Sequence, residues 1–239
     1  MENSSNPIHP WRLCPYGHHW VREHRRKTKT KTTVVSAHCA KNPSGKDHLY
    51  PDEIQKVAEL NMKDVKKFPC PDYLVFQKQW RKKYDDYIAL WTKYWNDIFE
   101  FQDPIDVNLI KALVATESEF KPKAKNHLFG KIYARGLMQV TDSSNAILKN
   151  YKGELRDHYV NLTQDELYNP NLNICAGIRW LIQKRKLASS KLKREATWYE
   201  AVAEYKSYAK DWKENPQHDQ KLRFDRFLEQ LTKCENFKK

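Results

Sequence analysis

The chain of 239 residues lacks any long apolar run. No stretch reaches the roughly 20 apolar residues that a membrane-spanning helix needs, so we expect no membrane span. The first residues, MENSSNPIHPWRL, also lack an apolar core of the signal-peptide type, so the sequence shows no evident leader.

The cysteine content does not suggest a disulfide framework. Small disulfide-stabilised domains usually carry an even set at close spacing, whereas this chain has an odd number spread along its length. One of them, Cys175, falls inside an apolar helical pattern and is predicted to be a small core residue. The five cysteines are Cys14, Cys39, Cys70, Cys175 and Cys234.

Positive charge exceeds negative charge, but unevenly. Residues 1–50 contain nine Lys and Arg against three acidic residues, residues 51–103 contain nine against ten, and residues 104–239 contain twenty-five against seventeen. A basic surface favours polyanionic partners: nucleic acid, anionic lipid or an acidic cell wall. Charge alone does not choose among these three classes.

The length allows one sizeable domain plus a smaller module. We divide the chain into a basic His/Cys-rich region (1–50), a connector with a long aromatic helix (51–103) and a main domain (104–239). The aromatic content of 13% argues against general disorder. Strand signals are few after residue 51, so the predicted fold class is mainly α, with β or irregular structure confined to the N-terminal region.

The N-terminal region holds six of the nine histidines and a predicted strand at 32–36, which we interpret as part of a hairpin. Two hypotheses apply to it. It could bind zinc, although the spacing matches no standard finger. Otherwise it is a basic surface segment that contacts the main domain or polyanions. The candidate zinc ligands are Cys14, His18 or His19, His24, His38 and Cys39.

An aromatic stripe recurs at helical spacing from Phe76 to Phe101. Such stripes usually mark a packed face, so we expect this helix to pack on the main domain; the alternative is a sugar-stacking wall. Its members are Trp80, Tyr84, Tyr87, Trp91, Tyr94, Trp95 and Ile98.

Four short motifs follow in order. VNLIKALVATES ends in Glu117 and Ser118, GLMQ occupies 136–139, Asn173 and Ile174 begin NIxAG, and an AxY segment ends at Tyr205. This order resembles that of soluble lytic transglycosylases, relatives of goose-type lysozymes, over roughly residues 104–212. The resemblance implies a lysozyme-like helical fold around a sugar cleft, and cleavage of bacterial peptidoglycan without a cofactor.

The resemblance assigns Glu117 as the only catalytic carboxylate. A carboxylate at the end of a buried helix tends to hold its proton, because burial disfavours its charged form. Glu117 would protonate the leaving oxygen and then activate the C6 hydroxyl of the muramic sugar, giving a 1,6-anhydro end. The resemblance also implies substrate contacts, which come from Ser118, Gly136, Met138, Gln139, Asn173, Ile174 and Tyr205, with Leu137 more simply in the core.

The sequence departs from the family pattern at three places. Lys206 stands where an Asn is usual, Tyr208 where a Gly is usual, and Arg135 precedes GLMQ. The loop at 126–133 is longer than many relatives need, and it is a candidate roof for the cleft. None of these departures removes Glu117.

Two other functions remain open. A lysozyme-type hydrolase needs a second carboxylate to position water, and Glu119 and Asp142 are the nearest candidates. A catalytically inactive protein that binds wall polymer or nucleic acid would use the N-terminal cations instead, although no known nucleic-acid motif is visible. These cations are Arg22, Arg25, Arg26, Lys27, Lys29 and Lys31.

The predicted substrate lies in the periplasm or cell wall. Without an evident leader, we expect delivery by another route: a secretion machine, a conjugation apparatus, a phage particle or lysis. The sequence does not separate these routes.

Overall fold

The computed structural model describes residues 11–70, 83–207, 224–229 and 231–232. The fold is mainly helical, as predicted, with short strands. None of the described helices is long and apolar enough to cross a membrane. The helices are α1 (Pro51–Asn61), α2 (Asp85–Phe99), α3 (Val107–Ser118), α4 (Asp142–Lys149), α5 (Pro170–Leu192) and α6 (Trp198–Tyr205). The strands are β1 (His18–Val21), β2 (His24–Lys27), β3 (Thr32–Val35), β4 (His38–Lys41), β5 (His48–Leu49), β6 (Lys125–Phe129), β7 (Ile132–Arg135), β8 (Val140–Thr141) and β9 (Tyr159–Val160).

Strands β1 to β4 form one long antiparallel hairpin. The pairing keeps a single register, from His18 opposite Lys41 at the base to Lys27 opposite Thr32 near the tip. The tip is closed by a hydrogen bond from the Thr28 amide to the Lys31 carbonyl, 2.8 Å long. Residues 22–37, which we call the arm, are exposed except at Val35. The predicted N-terminal hairpin is therefore confirmed.

A disulfide between Cys14 and Cys39 ties the base of this hairpin, with the two Cα atoms 5.7 Å apart. Our expectation that the cysteines do not form a disulfide framework was wrong, and Cys70 is disulfide-bonded as well. The bond also takes both sulfurs away from the zinc set proposed with His18, His24 and His38. The described residues contain no group of three metal-binding side chains. Cys175 is free and buried, as predicted.

The base of the N-terminal region belongs to the same packed unit as the main domain. The Arg12 guanidinium is buried and bonds Asp47 (3.1 Å) and Glu53 (2.8 Å). Strand β5 pairs in parallel with β9, with His48 opposite Tyr159. Side chains from both regions share one hydrophobic core. The sequence boundary at residue 50 therefore does not separate two independently packed parts.

The aromatic stripe of α2 packs against α5. Trp91 and Trp95 are fully buried, and their indole nitrogens donate to the Asn171 side chain (2.6 Å) and the Cys175 carbonyl (3.0 Å). The packing interpretation is confirmed for this part of the stripe. The predicted start of the helix, including Trp80, lies outside the described residues.

Helix α5 is the central element, because α1, α2, α4 and α6 all contact it. Its start is set by Asn169, whose side chain accepts hydrogen bonds from the amides of Asn171 and Leu172. Pro170 occupies the first helical position, where its missing amide hydrogen costs nothing. Residues 171–183 are buried without a gap, as expected for a helix segment surrounded by others.

Strands β6, β7 and β8 form a small antiparallel sheet in the region where we predicted a loop at 126–133. Every residue of β6 is exposed, so its sequence shows no alternation of apolar and polar residues. The strands form through pairing and through the Asp142 side chain, which accepts a 2.9 Å bond from the Tyr133 amide. The loop proposed as a roof at 126–133 is the hairpin of this sheet.

A cluster of half-buried and buried histidines lies where the N-terminal region meets β9. His48 is enclosed by the Asn161 amide at 2.8 Å from Nδ1, the Ser44 hydroxyl at 2.7 Å from Nε2, and the Tyr159 ring. Burial lowers the pKa of His48, and burial likewise lowers the pKa of His19 and His158. All three imidazoles are therefore held neutral in the folded protein at neutral pH.

We expect the protein to lose stability as the pH falls from about 7.5 to about 5.5. The unfolded chain binds more protons over this range, because its histidines titrate near their ordinary pKa of 6.5 and the folded ones below it. Thermal midpoints measured at each pH check this prediction. In His48→Asn the midpoint should change less steeply with pH than in the wild type. His127 is exposed, so His127→Gln is the matched control and keeps the wild-type slope. Equal slopes in wild type and His48→Asn would contradict the assignment.

Candidate active site

Glu117 lies in the last turn of α3. Asp106 begins this helix by accepting a 2.6 Å hydrogen bond from the Asn108 amide, and the buried Ile110 and Leu113 fix the helix against the core. The helix ends at Ser118, because Glu119 adopts a left-handed conformation with φ of 52°. The Glu117 side chain is 18% exposed, so its carboxylate is partly buried yet open to solvent.

Glu117 forms an ion pair with Lys206. The ammonium nitrogen of Lys206 contacts Oε1 of Glu117, and the lysine side chain is only 5% exposed. Lys206 follows the last residue of α6, and its amide bonds the Val202 carbonyl at 2.9 Å, which fixes its backbone. Sequence comparison singled out Lys206 as a departure from the family pattern but did not predict this contact. The helix-end carboxylate is thus accompanied by a cation.

Tyr205 lies next to this pair. Its hydroxyl donates a 2.5 Å hydrogen bond to the Met138 carbonyl rather than to Glu117. Burial raises the pKa of Tyr205 well above its ordinary value, and the negative charge of Glu117 adds to this shift. Tyr205 therefore stays neutral and joins the end of α6 to the GLMQ segment.

Asn173 holds the GLMQ segment from below. Its side-chain oxygen accepts from the Met138 amide at 2.7 Å, and its nitrogen donates to the carbonyls of Arg135 (2.9 Å) and Leu167 (2.8 Å). All three bonds are made with backbone groups, which a buried amide satisfies without any ligand. Asn173 is thus a brace for the turn at Gly136.

The predicted substrate contacts mostly lie behind the site. Met138, Asn173 and Ile174 are fully buried, as is Leu137, which we had placed in the core. The Ser118 hydroxyl donates to the Val114 carbonyl, 3.2 Å away. In this conformation these side chains support Glu117 and offer no open surface to a sugar.

Gln139 is also engaged within the protein. Its side-chain nitrogen donates to the Gly136 carbonyl (2.8 Å), and its oxygen accepts from Asn126 on β6 (2.8 Å). It therefore connects the GLMQ turn to the β6–β7 hairpin, a role that sequence reasoning did not predict.

The two alternative carboxylates have other partners. Glu119 is exposed and forms an ion pair with Lys121 at 2.7 Å. Asp142 forms a buried ion pair with Arg135 and accepts the Tyr133 amide, so it holds the start of α4 against β7. Each of these carboxylates is therefore bound to a cation close to it in the sequence. Arg135, noted as unusual before GLMQ, is thereby explained as a structural cation.

Comparison with known families finds a match for the main domain. The transglycosylase SLT domain matches residues 98–226, which is more than half of the chain and includes Glu117, GLMQ, Asn173 and Lys206. The match begins slightly before the boundary we predicted at residue 104. No curated protein and no solved structure gives a match. With these motifs assembled around Glu117, the chain belongs to the transglycosylase SLT family of the lysozyme-like superfamily, whose activity is the cleavage of peptidoglycan glycan strands.

Proposed function

We propose that the protein is a lytic transglycosylase that cleaves the MurNAc–GlcNAc β-1,4 bond and leaves 1,6-anhydroMurNAc ends. The observation that carries the proposal is the position of Glu117 among the motifs, where its partner is the Lys206 cation and not a second carboxylate. Glu117 is a partly exposed carboxylate at the end of a buried helix, and the two nearest rivals, Glu119 and Asp142, are bound to Lys121 and Arg135. A single acid/base matches a reaction that needs no positioned water.

The reaction follows in two steps. Protonated Glu117 donates its proton to the glycosidic oxygen as the bond from C1 to that oxygen breaks, and the sugar's own N-acetyl group supports the positive centre. The Glu117 carboxylate then takes the proton from the C6 hydroxyl as that oxygen bonds to C1. Glu117 ends protonated again, so no water is consumed and no second carboxylate is required.

Product analysis tests this proposal against hydrolysis. Purified peptidoglycan is digested and the fragments are analysed by mass spectrometry. We expect 1,6-anhydro ends, which are lighter than reducing ends by one water. Reducing ends would instead indicate a lysozyme-type hydrolase, and Asp142→Asn and Glu119→Gln would then identify its second carboxylate. If neither kind of end is released, the result would favour a binding protein.

We further propose that the arm holds the enzyme on the anionic wall. Residues 22–37 contain six cations and one acidic residue, Glu23, and every one of these side chains is exposed. Successive residues of a strand point to opposite faces, so Arg25 and Lys27 lie on one face of the ribbon and Arg26 on the other. Both faces thus present positive charge to a surrounding polymer, and such attraction is weakened by salt.

The arm can be removed without touching the core. Val21 and His38 are opposite each other at its base, so a two-residue Asn-Gly turn can join them as a shorter hairpin. Deleting all of 1–50 would be a poorer test, because that removes Arg12 and Leu49 from the core. The second variant keeps the ribbon and replaces Arg25, Arg26, Lys27 and Lys29 with Gln.

We expect both variants to bind purified walls at least about tenfold more weakly at low salt, because each cation near a polyanionic surface contributes about 1 kcal/mol. Cleavage of short soluble fragments should stay at the wild-type level. The control matches the second variant by replacing four lysines at other exposed positions, Lys63, Lys149, Lys152 and Lys193, with Gln. Equal weakening by the control would contradict a specific role for the arm. Tighter, arm-dependent binding to duplex DNA than to walls would favour the nucleic-acid alternative.

A further inference from the structure

We propose that Lys206 is a positioning residue for the acid–base cycle of Glu117: its ammonium stabilises the carboxylate that Glu117 becomes when it gives up its proton. The proposal rests on the proposed function. It starts from the contact between Lys206 Nζ and Glu117 Oε1, one of the two oxygens of the carboxyl group that must lose and regain the proton.

The burial of Lys206 makes the contact informative. A lysine is rarely this enclosed unless it is paired, because removing an ammonium from water costs several kcal/mol. Surface lysines often approach a carboxylate with little effect, but Lys206 is 5% exposed and its backbone is fixed at the end of α6. The structure therefore holds a cation against Glu117 at an energetic cost, which favours a role at this site over a chance surface pair.

The other charged groups around the pair are engaged with different partners. Tyr205, on the same helix, is neutral because burial raises its pKa. The acidic side chains of neighbouring elements are paired as follows: Glu204 of α6 with Lys191, Glu119 beyond α3 with Lys121, and Asp142 of α4 with Arg135. Among the contacts of the described residues, Lys206 is thus the cation that pairs with the Glu117 carboxylate.

This placement has two opposite consequences for the reaction. When Glu117 protonates the leaving oxygen, the negative charge that grows on its carboxylate is stabilised by the ammonium, and more strongly than it would be in water. Before the step, however, the same ammonium opposes the protonated form that the reaction needs. Lys206 should therefore increase the rate of proton donation while confining activity to lower pH. The Asn that is usual at this position carries no charge. It therefore produces neither the faster proton donation nor the restriction to lower pH.

The test measures pH profiles of kcat and KM on soluble glycan fragments, with 1,6-anhydro ends as the readout. Lys206→Met keeps length and removes charge, Lys206→Asn restores the usual family residue, and Lys206→Arg keeps the charge. We expect the peak kcat of Lys206→Met and Lys206→Asn to fall about tenfold or more, which is about 1.4 kcal/mol of barrier, with the alkaline limb of the profile moving to higher pH. Lys206→Arg should recover most of the rate and the wild-type limb.

Two results would overturn the proposal. One is an unchanged pH profile in folded Lys206→Met or Lys206→Asn. The other is a higher KM with unchanged kcat, which would make Lys206 a substrate contact. A second readout does not depend on turnover: the side-chain carboxyl ¹³C shift of Glu117 is titrated by NMR in wild type and Lys206→Asn. Identical titrations would also reject the proposal. A wild type that makes no anhydro ends but shows different titrations would reject the proposed function while retaining the pair.

Discussion

Glu117→Gln should abolish the release of 1,6-anhydro ends while leaving the fold intact. The amide has nearly the same shape as the carboxylic acid but cannot donate a proton to the leaving oxygen or take one from the C6 hydroxyl. Acid–base catalysis by one positioned group contributes about 10² to 10⁴ in rate. Because one residue is proposed to act in both steps, we expect the loss to lie at the upper end of this range.

The contact with Lys206 makes this substitution conservative for stability. The glutamine side chain introduced by the exchange still offers an oxygen to the Lys206 ammonium, so the enclosed cation keeps a hydrogen-bond acceptor. A hydrogen bond to a charged group retains part of the interaction, and the thermal midpoint should therefore change by a few degrees at most. Loss of activity with a preserved midpoint separates chemistry from folding.

The matched control is Glu119→Gln. Glu119 lies two residues further along, is exposed and pairs with Lys121 on the surface, so the exchange removes the same charge from the same end of α3. Its rate should remain within about twofold of wild type, because exposed pairs contribute little. Mass spectrometry of digests at equal enzyme concentration measures the release of 1,6-anhydro ends by the wild type, Glu117→Gln and Glu119→Gln. If Glu117→Gln turned over substrate at close to the wild-type rate, the assignment of Glu117 as the acid would be wrong.

Sequence reasoning predicted the helix that carries Glu117 better than the contacts around it. The helix ending at Glu117 was predictable because its cap, Asp106, and its buried apolar face are local features. The order of the four motifs then singled out Glu117 among the acidic residues. The burial of Met138, Asn173 and Ile174 was not predictable, since it depends on how α5 packs under the GLMQ turn.

The disulfide and the small sheet show a second limit. Cys14 and Cys39 are 25 residues apart. Cys14 precedes β1, whereas Cys39 lies in β4 opposite Trp20, so the disulfide depends on how the chain before β1 folds back towards β4. Strand β6 is exposed along its whole length, so no hydrophobic alternation marks it, and its partners are supplied by β7. In both cases the determining interaction is non-local, whereas propensity and periodicity are properties of a short window.

Lys206 illustrates the opposite situation. Its departure from the family pattern was visible in the sequence. The effect of a substitution in a motif, however, cannot be predicted until the residue that it contacts is known. The turn at the end of α6 directs the side chain to Glu117, and this converts an unexplained difference into a chemical hypothesis.

Gly136→Ala should be the most destabilising single methyl addition in the motif region. Gly136 has φ of +74°, in the left-handed region that disfavours residues with a Cβ atom. A Cβ at this position would lie 2.2 Å from the Leu167 carbonyl oxygen and 2.3 Å from the Asn173 side-chain nitrogen. Both neighbours are held in place, because Asn173 Nδ2 donates to that same carbonyl at 2.8 Å.

The added methyl must therefore displace a hydrogen-bonded pair as well as adopt a strained backbone. Left-handed strain costs about 1 kcal/mol, crowding in a packed interior about 1 to 3, and each disturbed buried hydrogen bond about 1. We expect a loss of about 3 kcal/mol or more in the free energy of unfolding. Because Asn173 also holds the Met138 amide, the position of the GLMQ turn relative to Glu117 should change in the protein that still folds.

Gly130→Ala provides the matched control, because it isolates crowding from backbone strain. Gly130 also has a positive φ, +55°, but nothing lies within 4 Å of the position that a Cβ would take. Its cost should be limited to the backbone term of about 1 kcal/mol. Urea unfolding of wild type and both variants gives the comparison, with activity measured on the folded fraction. If the two substitutions lower the free energy of unfolding equally, Asn173 and Leu167 must shift at little energetic cost. The GLMQ turn would then be held less rigidly than its hydrogen bonds indicate. A larger cost at Gly136, accompanied by reduced kcat, would instead establish that the brace beneath the turn keeps the catalytic end of α3 in its working geometry.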